Sequence, residues 1–290
     1  LAIMGIEPAI VCGTSVGSLV GASYAAVRLE SLESWARSLS RLDVSRIIDI
    51  SPSFSGFVDT DRLHEFLNNH VSADDAVIED LQKSYASVAT DLATGREVWL
   101  NEGSVIQSVW ASMSLPGLFP AIKHNNSWLV DGGLVNPIPV SVCRAMGADI
   151  VIAVNLNGDI VGKHFGRSNG SSKQSETSEK GKAGNEKTGT GFSDKLNDLV
   201  KEYTNITLFE DEPEVDQPPN LLEAIAGSVN IFQDRITRSR MAGDPPDIML
   251  SPKLSDLGLL ELYRSDEAIK EGMKCVERLR SEIEHVLERA

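Results

Sequence analysis

The sequence predicts an α/β protein whose central sheet is covered by helices on both faces. Strand-like and helix-like segments alternate over residues 1–160, the order that favours a parallel sheet. Short apolar runs at Pro8–Cys12 and Trp128–Val130 each lead within two residues to glycine, as buried strands do when the chain must turn at once. Ser15–Arg28 is dense in Gly, Ala and Ser, so a helix there can lie close against the sheet.

Leu1–Met4 reads as the last turn of a helix stopped by Gly5, so the chain is expected to start mid-fold. Pro8–Cys12 is the first strand, the small-residue segment the first helix, and Ser31–Leu39 the second. Ser51-Pro-Ser-Phe-Ser-Gly-Phe57 has the make-up of a mobile lid, and a helix follows at Thr60–Asn68. Tyr85–Ala89 and Glu97–Asn101 flank Thr90-Asp-Leu-Ala-Thr-Gly95, whose Asp and Gly suit the turn of a hairpin. Trp128–Val130 and Ile150–Leu156 are apolar enough to be central strands, with a short helix between them after Pro137-Ile-Pro139.

From Gly162 to Gly191 the chain turns to Gly, Ser, Lys, Glu, Thr and Asn, with too few apolar residues to order itself. The expected organisation is a core at 1–161, a disordered insertion at 162–191 and a helical part at 192–290 that completes the domain. Six Lys/Arg against three Glu make the insertion basic, which suits a solvated tether better than a headgroup-binding arm. Helical character resumes at Leu221–Arg238 and Ser265–Leu287. In the latter, Ile269, Met273, Val276, Leu279, Ile283 and Val286 recur every three or four residues, the stripe of a helix packed on a core, with a dimer or membrane-surface helix as the alternative.

Composition excludes several classes. With 290 residues, 41% of them apolar and 24% charged, the chain can build a substantial core. A net charge of −15 offers no long-range field for nucleic acid, so any lipid contact must be mainly apolar. Cys12, Cys143 and Cys275 are too few and too scattered for a disulfide framework or a metal cluster, and read as structural thiols in a reducing compartment. No apolar run reaches the roughly 18–20 residues of a membrane span, and the first residues lack a signal core. A cytoplasmic protein, free or peripheral at the inner membrane, is expected. Oligomeric state stays open.

The sharpest chemical signal is Gly13-Thr-Ser-Val-Gly17, a G-x-S-x-G between an apolar strand and a small-residue helix, the setting of a nucleophile elbow. Ser15 at such a turn adopts a strained backbone, and Gly13 and Gly17 are expected to relieve collisions with the neighbouring strand and helix. The helix aims its positive end at the site, and the Val16 N–H can stabilise an oxyanion.

A serine hydroxyl needs a base. Histidine is the usual one, yet His64 falls on a helix, His70 just beyond it, His124 in a polar turn, His164 in the insertion and His285 in the terminal helix. None occupies a convincing strand-end loop. Asp131 is better placed: Trp128-Leu-Val-Asp-Gly-Gly133 puts a carboxylate at a strand end, beside Gly132 and Gly133, which let backbone and substrate approach. Asp91 is the rival carboxylate, in what reads as a surface hairpin. The apolar Ser112-Met-Ser-Leu-Pro-Gly-Leu-Phe-Pro120 loop suits either a buried connector or an acyl-pocket wall.

These motifs together resemble the bacterial patatin-like phospholipases, in the RssA-like branch related to neuropathy target esterase. The resemblance rests on Gly5-Ile-Glu-Pro, Gly13-Thr-Ser-Val-Gly-Ser-Leu-Val-Gly-Ala, Ala89-Thr-Asp-Leu-Ala-Thr-Gly, Ala111-Ser-Met-Ser-Leu-Pro-Gly-Leu-Phe-Pro and Leu129-Val-Asp-Gly-Gly-Leu-Val-Asn-Pro-Ile-Pro-Val. It covers about residues 1–160 and, more faintly, Pro246–Val276. It implies a three-layer α/β/α fold with a mainly parallel central sheet and a helical C-terminal part. It also implies a Ser/Asp dyad falling on Ser15 and Asp131, with no catalytic histidine, no cofactor and no metal. The implied reaction is hydrolysis of phospholipid or lysophospholipid acyl esters through an acyl-enzyme. A fold that keeps lipid binding but has lost its chemistry, or a triad using His164 or His285, are the rival readings.

The family carries a glycine-rich oxyanion loop ahead of its first helix, and nothing before Gly5 supplies it. Losing even one oxyanion donor costs about 10²- to 10³-fold in rate. The expectation is that residues 1–290 alone are nearly inert and that a longer protein bringing the loop is active. A turnover assay of the two, with Ser15→Ala as control, checks this, and equal activity would refute it.

Overall fold

The computed structural model describes residues 1–47, 60–158, 221–258 and 261–289. All of them belong to one compact unit, residues 1–165 with 220–290; a second unit, 166–219, the lid segment 51–57 and the insertion 162–191 lie outside the described residues.

A five-stranded sheet organises the first half. Strand β1 (Ile10–Thr14) runs parallel to β2 (Ser84–Asp91), while β3 (Glu97–Leu100) and β5 (Ser127–Asp131) pair antiparallel with β2, and β4 (Ile122–His124) antiparallel with β5. The sheet is therefore mixed rather than mainly parallel. The reason is local: β2–β3 and β4–β5 are joined by tight turns, which permit only antiparallel ladders, whereas β1 reaches β2 through a long helical crossover. The first of these turns is the hairpin expected around Thr90–Gly95, with Gly95 at φ 67°.

Alternation along β2 builds the layers. Tyr85 faces a cluster with Leu19 and Ala22 of α1 (Val16–Ala25), Leu32 of α2 (Leu29–Ser38), Leu67 of α4 (Thr60–His70) and Val105 and Val109 of α5 (Val105–Met113). Ala86 and Val88 point to the other face, against Val142 of α6 (Val140–Ala145). The short helix α3 (Arg41–Ile47) buries Val44 beside Leu39. Helix α5 and strand β4 had no clear signal, although Ser104 caps α5 by accepting from the Gln107 N–H.

The C-terminal part supplies helix α7 (Leu221–Gly243), strand β7 (Ile248–Leu250) and helices α8 (Ser265–Arg278) and α9 (Arg280–Leu287). The strand expected over Ile150–Leu156 shortens to β6 (Ile152–Val154) and is not central: it pairs in parallel with β7 in a separate two-stranded sheet. Its partner lay in a segment too short to read as a strand. The single terminal helix is broken at Leu279, and Met273 is exposed, its place on the buried side taken by Cys275. Cys275, Ile283 and Leu250 form one cluster, with Val276, Leu279, Val286 and the N-terminal Leu1 and Met4 packed around it.

Leu67 is fully buried in the largest cluster and Met273 is half exposed. Leu67→Ala should cost about 2–5 kcal/mol in urea denaturation, whereas Met273→Ala should stay within about 0.5 kcal/mol.

Candidate active site

Strand β1 delivers the chain into Ser15, which holds φ 53° and ψ −125° immediately before α1 begins at Val16. Such a conformation costs a non-glycine residue of the order of 1–3 kcal/mol and persists only where neighbours enforce it. Here they do. The Ser15 N–H donates to Ser112 Oγ at 3.0 Å, and that hydroxyl donates to the Val88 carbonyl at 2.6 Å, tying the turn to α5 and β2. The Ser15 carbonyl accepts from Ser18 Oγ at 2.6 Å.

A Cβ on Gly13 would lie 2.2 Å from the Gly17 carbonyl oxygen, so Gly13 admits no side chain. The expectation for Gly17 fails: a Cβ there would meet nothing within 4 Å. Gly17 crowds Gly13 through its backbone, which any residue would bring.

The register of the sheet brings Asp131 to this turn. Thr14 pairs with Val88 and Asp131 with Ala89, so β1 ends and β5 ends at consecutive positions of β2. Because β3 pairs with Ser87, Val88, Ala89 and Thr90 along the other edge, β1 and β5 must share one edge of β2. Across that seam Ser15 Oγ donates to Asp131 Oδ2 at 2.6 Å, and the Gly133 N–H donates to Oδ1 at 2.7 Å. Asp131 is 1% exposed. Burial pushes its pKa up from the ordinary 3.8 to about 6, against the opposing pull of the bonds from Ser15 and Gly133.

Of the glycines after Asp131, Gly132 is sterically obligatory, whereas a side chain on Gly133 would have to displace the flexible end of Gln233. A Cβ on Gly132 would fall 2.1 Å from the Val88 carbonyl oxygen, and one on Gly133 would fall 2.3 Å from Gln233 Nε2 on α7. The turn they form is pinned on several sides. Thr90 Oγ1 donates to the Asp131 carbonyl at 2.8 Å and Thr14 Oγ1 to the Asn136 carbonyl at 2.7 Å. Fully buried Asn136 donates from Nδ2 to Glu97 Oε1 at 2.7 Å. Arg240 of α7 completes the brace, donating to Glu97 Oε2 at 2.5 Å and to the Val135 carbonyl at 2.7 Å.

Sequence reading did not single out Ser112, Thr90, Glu97, Asn136, Arg240 or Gln233. Ser112, Asn136 and Thr90 stand inside the quoted motifs, but nothing local pairs Glu97 with Arg240, 143 positions away.

The rival groups are engaged elsewhere. Asp91 caps its own hairpin, accepting from the Ala93 and Thr94 N–H groups and from Ser127 Oγ; these bonds, Ser127 foremost, hold its carboxyl below the usual range. His64 lies 2.8 Å from Asp74, and His70 packs against Trp35 and Phe66. His124 sits on β4 rather than in a turn, His285 on α9, and His164 lies outside the described residues. Ser112 and Met113 close α5 instead of opening a loop. Beyond them, Leu115 and Pro116 line a cleft of about 370 Å³ with Leu134, Ala224, Ser228, Val229 and Phe232. Among the described residues, no helix is long and apolar enough to cross a membrane.

Residues 1–144 match the family model described as patatin-like phospholipase. The chain carries a patatin-like phospholipase domain. It is 34% identical over 152 residues to an NTE family protein of Mycobacterium tuberculosis strain H37Rv, covering 52% of this chain and 42% of that one. Patatin-like phospholipase domain-containing protein 7 of Rattus norvegicus is 31% identical over 164 residues, 54% of this chain and 12% of its own length. Patatin-like phospholipase domain-containing protein 6 of Homo sapiens is 31% identical over 163 residues, 52% and 11%. The chain thus spans less than half the length of these curated relatives, and what they share with it is the patatin domain.

Ionising Asp131 inside this domain opposes folding. Because its folded pKa lies above the unfolded value, its neutral form contributes stability that is fully present below about pH 3.8 and lost as pH rises through about 6. Asp131→Asn removes that titration. In thermal denaturation the variant should melt above the parent at pH 8, by at most about 3 kcal/mol, and the gap should close as pH falls through 6 toward 4.

Proposed function

We propose that this protein is a serine acyl hydrolase of phospholipids or lysophospholipids, with Ser15 as nucleophile and Asp131 as general base. The carrying observation is the 2.6 Å contact between Ser15 Oγ, on a strained strand-to-helix turn, and a buried carboxylate. The lipid substrate class is supported by the patatin domain and by the names of the phospholipase-domain relatives.

In this reading Ser15 Oγ attacks the ester carbonyl carbon while its proton passes to Asp131 Oδ2. The tetrahedral oxyanion faces the start of α1, where the Val16 N–H has no intrahelical partner to meet. Collapse breaks the bond to the alcohol oxygen, which takes the proton from Asp131 as it leaves. Water then attacks the acyl-enzyme, Asp131 accepts its proton, and collapse releases the fatty acid and returns the proton to Ser15. A carboxylate raised to about 6 is a stronger base than an ordinary aspartate and is still ionised at neutral pH. Apolar lipid contact at a membrane surface, on the cytoplasmic side, fits the net charge of −15 and the free cysteines.

A fluorophosphonate should label the full-length protein at Ser15, and Ser15→Ala should abolish both labelling and ester turnover. Asp131→Asn should lower kcat/KM by about 10²- to 10⁴-fold, and His285→Ala should change nothing. Since the base must be unprotonated, kcat/KM should rise with pH through about 6 and then level off. Unlabelled parent protein, still binding lipid vesicles, would point instead to a fold that has lost its chemistry.

A further inference from the structure

Helix α7 lies beyond residue 144, where the family match ends, yet it touches the site twice. Gln233 Nε2 fills the space in front of Gly133, and Arg240 braces the Val135 carbonyl. One turn and one residue before Gln233, Val229 and Phe232 face an apolar cleft. Leu115, Pro116 and Leu134 line the same cleft.

Each wall is anchored to the dyad. The Asp131 N–H donates to the Ser114 carbonyl at 3.0 Å, one residue before Leu115. Leu134 ends the 3-10 turn that Asp131 caps. Phe232 precedes Gln233. The cleft's volume of about 370 Å³ falls within the range of small-molecule sites, and its lining is almost wholly apolar. Phe232, 60% exposed, stands at its rim.

We propose that this cleft binds the acyl chain of the substrate ester and that α7, through Val229 and Phe232, sets the chain length accepted. The proposal rests on the hydrolase reading above. It assigns specificity to a part of the chain outside the matched domain: the matched stretch supplies Ser15 and Asp131, whereas the wall that measures the lipid tail comes from α7. An apolar tail needs this kind of surface, since each buried methylene is worth about fourfold in affinity.

Two variants of the full-length protein test this, assayed on p-nitrophenyl butyrate, octanoate and palmitate and with a small fluorophosphonate. Ser228→Trp fills the cleft and should lower the palmitate-to-butyrate ratio of kcat/KM by about tenfold or more. Phe232→Ala strips the rim and should lower the same ratio by about 4- to 16-fold, the worth of one or two methylenes. An unchanged ratio in both variants, with Ser15 labelled at the parent's rate, overturns the cleft assignment and leaves the hydrolase reading standing. Failure of the parent itself to react with the fluorophosphonate overturns the hydrolase reading and this assignment with it. Should Ser228→Trp fail to fold, seen as lost labelling, exposed Phe232→Ala decides alone.

Discussion

Strand β2 has two edges, and two other strands divide one of them. β1 occupies that edge as far as Val88 and β5 takes over at Ala89, so the ends of both meet head-on where neither can continue. The chain must leave the sheet there, and the space is tight: Gly13 and Gly132 each stand where a Cβ would strike a backbone carbonyl at close to 2 Å. Ser15 directly follows Thr14 at the end of β1 and Asp131 is the last residue of β5, so their side chains face each other across that crowded seam. Their contact is a consequence of strand register more than of any attraction between them.

The same crowding that brings Asp131 to the seam removes it from water. Desolvation alone would push the carboxyl further up, and the bonds from Ser15 and Gly133 restrain the shift. Stability and basicity are thereby opposed: the burial that makes the carboxylate eager for a proton is also what disfavours its ionised form in the fold. The surrounding brace of Thr90, Thr14, Asn136, Glu97 and Arg240 holds the turn against that cost.

Much of this was legible in the sequence because it was local. The Ser15 turn needed only an apolar strand, G-x-S-x-G and small residues; the carboxylate that faces it needed only a strand end followed by two glycines. What escaped was relational. The mixed direction of the strands depended in part on how short the β4–β5 turn is, and β4, a three-residue strand, carries no pattern of its own. β6 seemed central because its partner, Ile248–Leu250, was too short to recognise. The break at Leu279 and the exposure of Met273 reflect how α8 and α9 fit over β7, which periodicity along one helix does not encode. Glu97, Arg240 and Gln233 belong to the site only through tertiary packing, and no spacing announces them.

The brace from Arg240 also carries a temporal consequence. A ribosome adds Arg240 109 residues after Asp131, and at about 5–20 residues per second the gap is roughly 5–20 s. Throughout that interval the nascent chain carries the residues of the elbow and of the Asp-Gly-Gly turn, but not the guanidinium that clamps Glu97 to the Val135 carbonyl. The residues around Ser15 and Asp131 are thus synthesised early, and their brace can close only once α7 has emerged.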